Sequence, residues 1–148
     1  MGKYGEKAKA LFVGGYNCAQ AVFAAFSDVT GIDLETSVKL SSGFGGGMGR
    51  MREVCGAVSG MFMVLNAVEG YTSPTDNKAK MELYAKVQTL AGKFKEKNGS
   101  IICREIVNDS VTSTPVPTER NAEFYKKRPC GEYVEMAADI IADYLGIN

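Results

Sequence analysis

Four cysteines, Cys18, Cys55, Cys103 and Cys130, are the chemically distinctive residues of a 148-residue chain that contains no histidine. Thiolates are soft metal ligands, nucleophiles and redox groups, so the chemistry open to them is metal ligation or thiol–disulfide exchange. Zinc ribbons and knuckles place their cysteines in closely spaced pairs, and the spacing here is far wider. A joint role therefore requires a fold that gathers distant segments. Without histidine, an imidazole base and a His-assisted triad are excluded. Glu53, Glu105, Asp109 and Glu119 are near cysteines or loops only in sequence and receive no catalytic role.

The local setting of each thiol favours ionisation. A helix N-terminus carries unpaired N–H groups and roughly half a positive charge, which stabilises a thiolate. Cys18 follows Asn17, a good cap; Cys55 precedes Gly56 in the first turn of a central helix; Cys103 is followed by Arg104; Cys130 lies beside Pro129 and Arg128. Burial as a small apolar residue is the competing use of cysteine, and each thiol does begin an apolar face. Cys55 and Cys18 are the candidate catalytic thiols. Cys55 is the expected nucleophile, because the small Gly56 and Ala57 leave its sulfur accessible.

The elements that must position these residues are helical by periodicity. Ala8, Leu11 and Phe12 mark a first helix ending at Gly14-Gly15, and Asn17 caps a second through Phe26. Gly31 closes that segment, and Asp33 caps a short helix through Leu40. A helix from near Glu53 to about Glu69 is apolar on almost every side, from Ala57 and Val58 to Val68, as suits a central position. Pro74 and Asp76 open a charged helix from Lys78 to about Lys97, with a stripe of Leu83, Val87, Leu90 and Phe94 and a stop at Asn98-Gly99. The segment 101–107 reads as strand by residue type and as helix by the face shared by Cys103, Ile106 and Val107. The loop 108–118, with Pro115 and Pro117, is expected to be the least ordered. A last helix starts around Pro129 and ends before Gly146, with Tyr133, Met136, Ala137, Ile140 and Tyr144 inward. The expected architecture is one all-α domain, a helical bundle over residues 1–148.

Between the helix capped by Asp33 and the central helix, Ser41 to Gly49 forms a loop with five glycines in seven residues from Gly43. It matches neither G-x-G-x-x-G nor G-x-x-x-x-G-K-[ST], and no strand precedes it, so nucleotide binding is not indicated. Gly45, Gly46, Gly47 and Gly49 could wrap a cofactor or turn backbone amides toward sulfur; a tight crossing between helices explains them equally well. Composition bounds the rest. Lys plus Arg equals Asp plus Glu at 17 each, which argues against nucleic acid as a partner. The cluster Lys126-Lys127-Arg128 reads as a solvated face. No secretion signal is visible, and the longest apolar run, Gly60 to Leu65, is far below the ~20 residues a membrane span needs. A cytoplasmic, reducing setting is expected, in which scattered cysteines serve as ligands or reactive thiols.

The segments Gly15-Tyr-Asn-Cys-Ala-Gln-Ala-Val22, Phe44-Gly-Gly-Gly-Met-Gly49, Cys55-Gly-Ala-Val-Ser-Gly60 and Arg128-Pro-Cys130, with Cys103 in Ile-Ile-Cys-Arg, together resemble the bacterial C_GCAxxG_C_C family of redox-active proteins. The resemblance spans nearly the whole chain and fills all four cysteine positions. It is related to the split-Soret type of cytochrome, which implies electron transfer and an iron-containing cofactor. The chain lacks C-x-x-C-H and any histidine ligand, so haem attachment does not carry over. The expectation is a redox or electron-transfer protein with its four cysteines at one end of the bundle. They would serve as ligands of an iron–sulfur cluster, or as two dithiol/disulfide pairs that need no cofactor. The contrasting expectation is a non-catalytic module in which the same four thiolates hold Zn²⁺. The redox partner protein is unidentified, and a homodimer is plausible from the abundance of apolar residues.

Overall fold

The computed structural model describes residues 2–107 and 112–148. Among these the regular structure is all helical, and the extended geometry is confined to one isolated antiparallel bridge between Val54 and Ile102. The expected loop 108–118 is described from residue 112 on. Its first four residues, Asp109 among them, lie outside the described residues, as do the side chains at 126 and 127 of the expected solvated cluster.

The first half of the chain follows its local signals. Helix α1 (Lys3–Val13) stops at Gly14. Helix α2 (Cys18–Ala24) begins with a capping box: the Asn17 side chain accepts from the Gln20 amide, and Gln20 reaches back to the Asn17 N–H. The short α3 (Ser27–Thr30) ends on Gly31 in the left-handed region at φ 76°. Helix α4 (Leu34–Ser41) is capped by Asp33, whose carboxylate accepts from the Thr36 amide. A 3₁₀ turn at Ser42–Phe44 leads into the glycine loop.

Helix α5 (Gly56–Glu69) starts later than Glu53, because residues 53–55 are extended instead. The Cys55 amide donates to Ile101 O at 2.8 Å and the Cys103 amide to Glu53 O at 2.6 Å, on either side of the bridge. The same pairing resolves the ambiguous segment: Ile102 is extended and Cys103–Ile106 forms the one-turn helix α7. Helix α6 (Asn77–Asn98) runs between the Asp76 cap and a left-handed Gly99, burying Leu83, Leu90 and Phe94. Helix α8 (Ala122–Lys127) was not foreseen; Asn121 caps it by accepting from the Phe124 amide. Helix α9 (Cys130–Leu145) has Pro129 at its cap rather than in its first turn. Its inner face is centred on Val134, Ala138 and Ile141, all fully buried, with Tyr133 and Tyr144 at the margins.

The core forms where α2 and α5 cross and α9 packs over both, with α1 against α9 and α2. The crossing is close because it is lined by glycine. A Cβ at Gly60 would stand 2.8 Å from Ala19 O and 2.9 Å from Val22 Cβ, and one at Gly56 would stand 3.1 Å from Cys18 Cβ. Ala57, Val58, Met61, Val64 and Leu65 fill the other sides of α5, as expected of a central helix, but Val68 near its end is 43 % exposed. Helix propensity alone favours Ala over Gly by about 1 kcal/mol, so replacing Gly60 isolates the contact. Gly60→Ala is expected to lower stability by about 1–3 kcal/mol, the cost of overpacking, in urea denaturation. A more stable variant would contradict the close crossing.

Candidate functional site

Four helices present their first turns to one place. Cys18 opens α2, Cys55 is the N-cap residue of α5, Cys103 opens α7 and Cys130 opens α9. All four are free thiols and line a single cavity of about 550 Å³. Each approach has a local cause. The glycine-lined crossing sets Cys18 beside the start of α5. The Val54–Ile102 bridge holds the Cys55 and Cys103 segments together. Packing of α9 on α2 and α5 delivers Cys130, whose ionisation is tied to that of Cys18. Among the described residues, no three His, Cys, Asp or Glu side chains are grouped closely enough to hold a single ion.

The four thiols are not equivalent. The shared hydrogen bond with Cys130 pushes the Cys18 thiol well up, burial adds to this, and the proton stays on Cys18. Cys130 is lowered, first by that hydrogen bond and then by Arg128, Arg52 and Arg120, against the opposing effect of burial. Burial raises Cys55 to about 12; the Val58 and Ala57 amides act the other way without closing a capping hydrogen bond. Burial also raises Cys103, although Arg52 Nη1, 3.8 Å from its sulfur, pulls it down. The accessibility expected for Cys55 is therefore not found: the residue is 7 % exposed, since α9 and the core cover what Gly56 and Ala57 leave open.

Gly45, Gly46, Gly47 and Gly49 all border the cavity. Gly47 shows why the loop is glycine: at φ 77°, its absent Cβ would stand 2.7 Å from Cys103 Cβ. The carbonyls of Gly45, Gly46 and Gly47 accept from the amides of Arg50, Arg52 and Glu53, which coils the loop back on itself. Met48, Arg50 and Arg52 are left-handed as well, at φ 65°, 67° and 62°. A non-glycine residue is disfavoured there by about 1 kcal/mol or more, a cost typical of functional loops.

This coil carries Arg50 and Arg52, which sequence analysis did not mark as site residues, while Arg128, expected on a solvated face, is half-buried against the cavity. Arg50, Arg52, Arg120 and Arg128 line the cavity, and among the described residues its lining contains no Asp or Glu. Arg104, the cation next to Cys103 in sequence, turns outward instead and pairs with Glu53 at 2.5 Å. Glu105 accepts from Ser100 Oγ. Arg120 donates to Tyr16 O at 2.8 Å and to Phe12 O, and lies 4.2 Å from the centre of the Phe12 ring. The available signal was the placement of Arg50 and Arg52 directly after the glycine run.

The shifts fix an order of reactivity. Because Cys130 is lowered, its thiolate accumulates below pH 9. Cys55 keeps its proton until pH approaches about 12. In the reduced, metal-free protein, iodoacetamide labelling followed by mass spectrometry from pH 6 to 9 is expected to modify Cys130 first, ahead of Cys18, Cys55 and Cys103. Labelling of Cys55 ahead of Cys130 would contradict the assignment.

Residues 16–144 match the family described as "Putative redox-active protein (C_GCAxxG_C_C)". No curated protein and no solved structure is significantly similar to the chain. The family match covers most of the sequence and includes the glycine loop, the Cys55-Gly-Ala-Val-Ser-Gly60 motif and all four cysteines, so this protein belongs to the C_GCAxxG_C_C family.

Proposed function

We propose that the protein transfers electrons at the four-cysteine cavity, with Cys18, Cys55, Cys103 and Cys130 as thiolate ligands of an iron–sulfur cluster. The observation that carries this reading is the convergence of four thiols, from the starts of four different helices, on one cavity. When bound, such a cluster supplies one-electron transfer at a potential set by charge, hydrogen bonds to sulfur and solvent exposure. The chain has residues for each of these controls. Arg52 donates toward the Cys103 sulfur, and Arg50, Arg120 and Arg128 offset thiolate charge. Phe12, Phe124 and Ile106 keep part of the wall apolar, and Gly45, Gly46, Gly47 and Gly49 give close access to backbone.

A zinc module is the weaker reading. Tetrahedral zinc needs every sulfur at about 2.3 Å from one point, whereas a group of several atoms suits sulfurs arranged around a cavity. The opposite shifts of the Cys18 and Cys130 thiols, which line the same cavity, support a second redox reading. In it, the Cys130 thiolate attacks a disulfide of an oxidised partner protein and expels one partner thiolate. Cys18 then attacks the mixed disulfide, releases the second thiolate and leaves a Cys18–Cys130 disulfide. Both redox readings suit a reducing cytoplasm. Among the described residues no helix is long and apolar enough to cross a membrane.

Iron and acid-labile sulfide analysis of protein purified without oxygen separates these readings. The expected result is a brown protein containing both elements, with most of each lost in Cys55→Ser while helical circular dichroism is retained. A colourless protein with one zinc per chain would support the module. A colourless, metal-free protein whose Cys18 and Cys130 thiols disappear under mild oxidant would support the dithiol.

A further inference from the structure

The guanidinium groups pose a question the thiols do not answer. Arg52 is 3 % exposed, and its Nε donates to Thr112 O at 3.0 Å and its Nη1 to Cys103 sulfur. Its Nη2 is enclosed and has no hydrogen-bond partner among the described residues. Leaving a buried charged donor unsatisfied is costly, and such groups are normally paired with an anion. The neighbouring cations make the same demand. Arg50 is tied to Thr114 O, Thr118 Oγ1 and Thr112 Oγ1, and Arg120 to two carbonyls and the Tyr125 hydroxyl. None of these partners is a carboxylate, and among the described residues the cavity wall supplies none. Burial, then the charges of Arg52 and Arg128, lower the Arg50 guanidinium, which marks these cations as close neighbours.

We infer that the cavity contains a subsite for a small oxyanion, held by Arg52 with Arg50 and Arg120 around it. Planar guanidinium groups match the paired oxygens of phosphate, sulfate or a carboxylate, which a lysine would meet only as a point charge. The loop is built to present this group: Arg50 and Arg52 both adopt left-handed backbone, and the Gly46 carbonyl accepts from the Arg52 amide at 3.3 Å. An oxyanion bound there lies in the same cavity as the four sulfurs, so the ligand class of this site is anionic. The inference stands apart from the electron-transfer reading, because anion binding requires the guanidiniums and not thiol or cluster chemistry.

Isothermal titration calorimetry of the full chain with sodium sulfate and with inorganic phosphate, at ionic strength held constant with chloride, tests it. The expected result is saturable binding of at least one oxyanion by the wild type. Binding should weaken tenfold or more in Arg52→Gln and remain unchanged in Arg104→Gln, whose guanidinium faces outward. Thermal shift with the same salts provides the second measurement. If Arg52→Gln fails to fold, Arg50→Gln takes its place and should weaken binding at least several-fold. Absence of saturable binding to the wild type, or undiminished binding in a folded Arg52→Gln or Arg50→Gln, would overturn the subsite. Anion binding in a protein without iron or reactive thiols would sustain it while removing the redox reading.

Discussion

The near contact between α2 and α5 is the constraint on which the rest of the structure depends. Gly56 and Gly60, one turn apart on α5, face Cys18, Ala19 and Val22 of α2; Gly60 has no room for another carbon and Gly56 only a tight fit. Two helices can approach this closely only where side chains are absent, because ridges of larger residues hold helix axes 8–10 Å apart. The crossing sets the start of α2 beside the start of α5, so Cys18 and Cys55 become neighbours despite the distance between them in sequence. α9 packs over both helices and brings in Cys130, and the bridge at Val54 and Ile102 brings in Cys103. The glycines of the family motif thus meet a packing requirement.

Gathering thiols under a core creates an electrostatic conflict that the cavity resolves unevenly. Burial favours the protonated form, and for Cys55 it prevails. At Cys130, the hydrogen bond from Cys18 and three guanidiniums reverse the outcome. A metal centre would invert this logic for all four sulfurs, since coordination deprotonates a thiol outright. The arginine-rich wall suits either state, because it stabilises whatever negative charge the cavity holds. Among the described residues, Arg52 Nη2 is left without a partner.

What could be read in the sequence was what is decided within a few residues. Asn17, Asp33 and Asp76 cap helices as expected, and Gly31 and Gly99 end them in left-handed geometry, because capping depends on adjacent backbone. The all-helical class followed from periodicity for the same reason. The start of α5 was misplaced because residues 53–55 pair with a segment almost fifty positions away. The burial of Cys55 and the exposure of Val68 were equally invisible, since each depends on what packs above it. Arg104 looked like the partner of Cys103 by adjacency, yet Arg52, remote in sequence, reaches that sulfur. Helix α8 is short and carries little beyond its Asn121 cap to announce it.

The central claim is that four sulfurs act as one unit. It is tested most directly by comparing Cys18→Ser, Cys55→Ser, Cys103→Ser and Cys130→Ser with the double variants, scoring iron and sulfide content together with reversible reduction. Residues that act jointly are strongly non-additive, so each single change should remove nearly as much as any pair. Losses confined to Cys18 and Cys130, or losses that simply add across the set, would contradict the account.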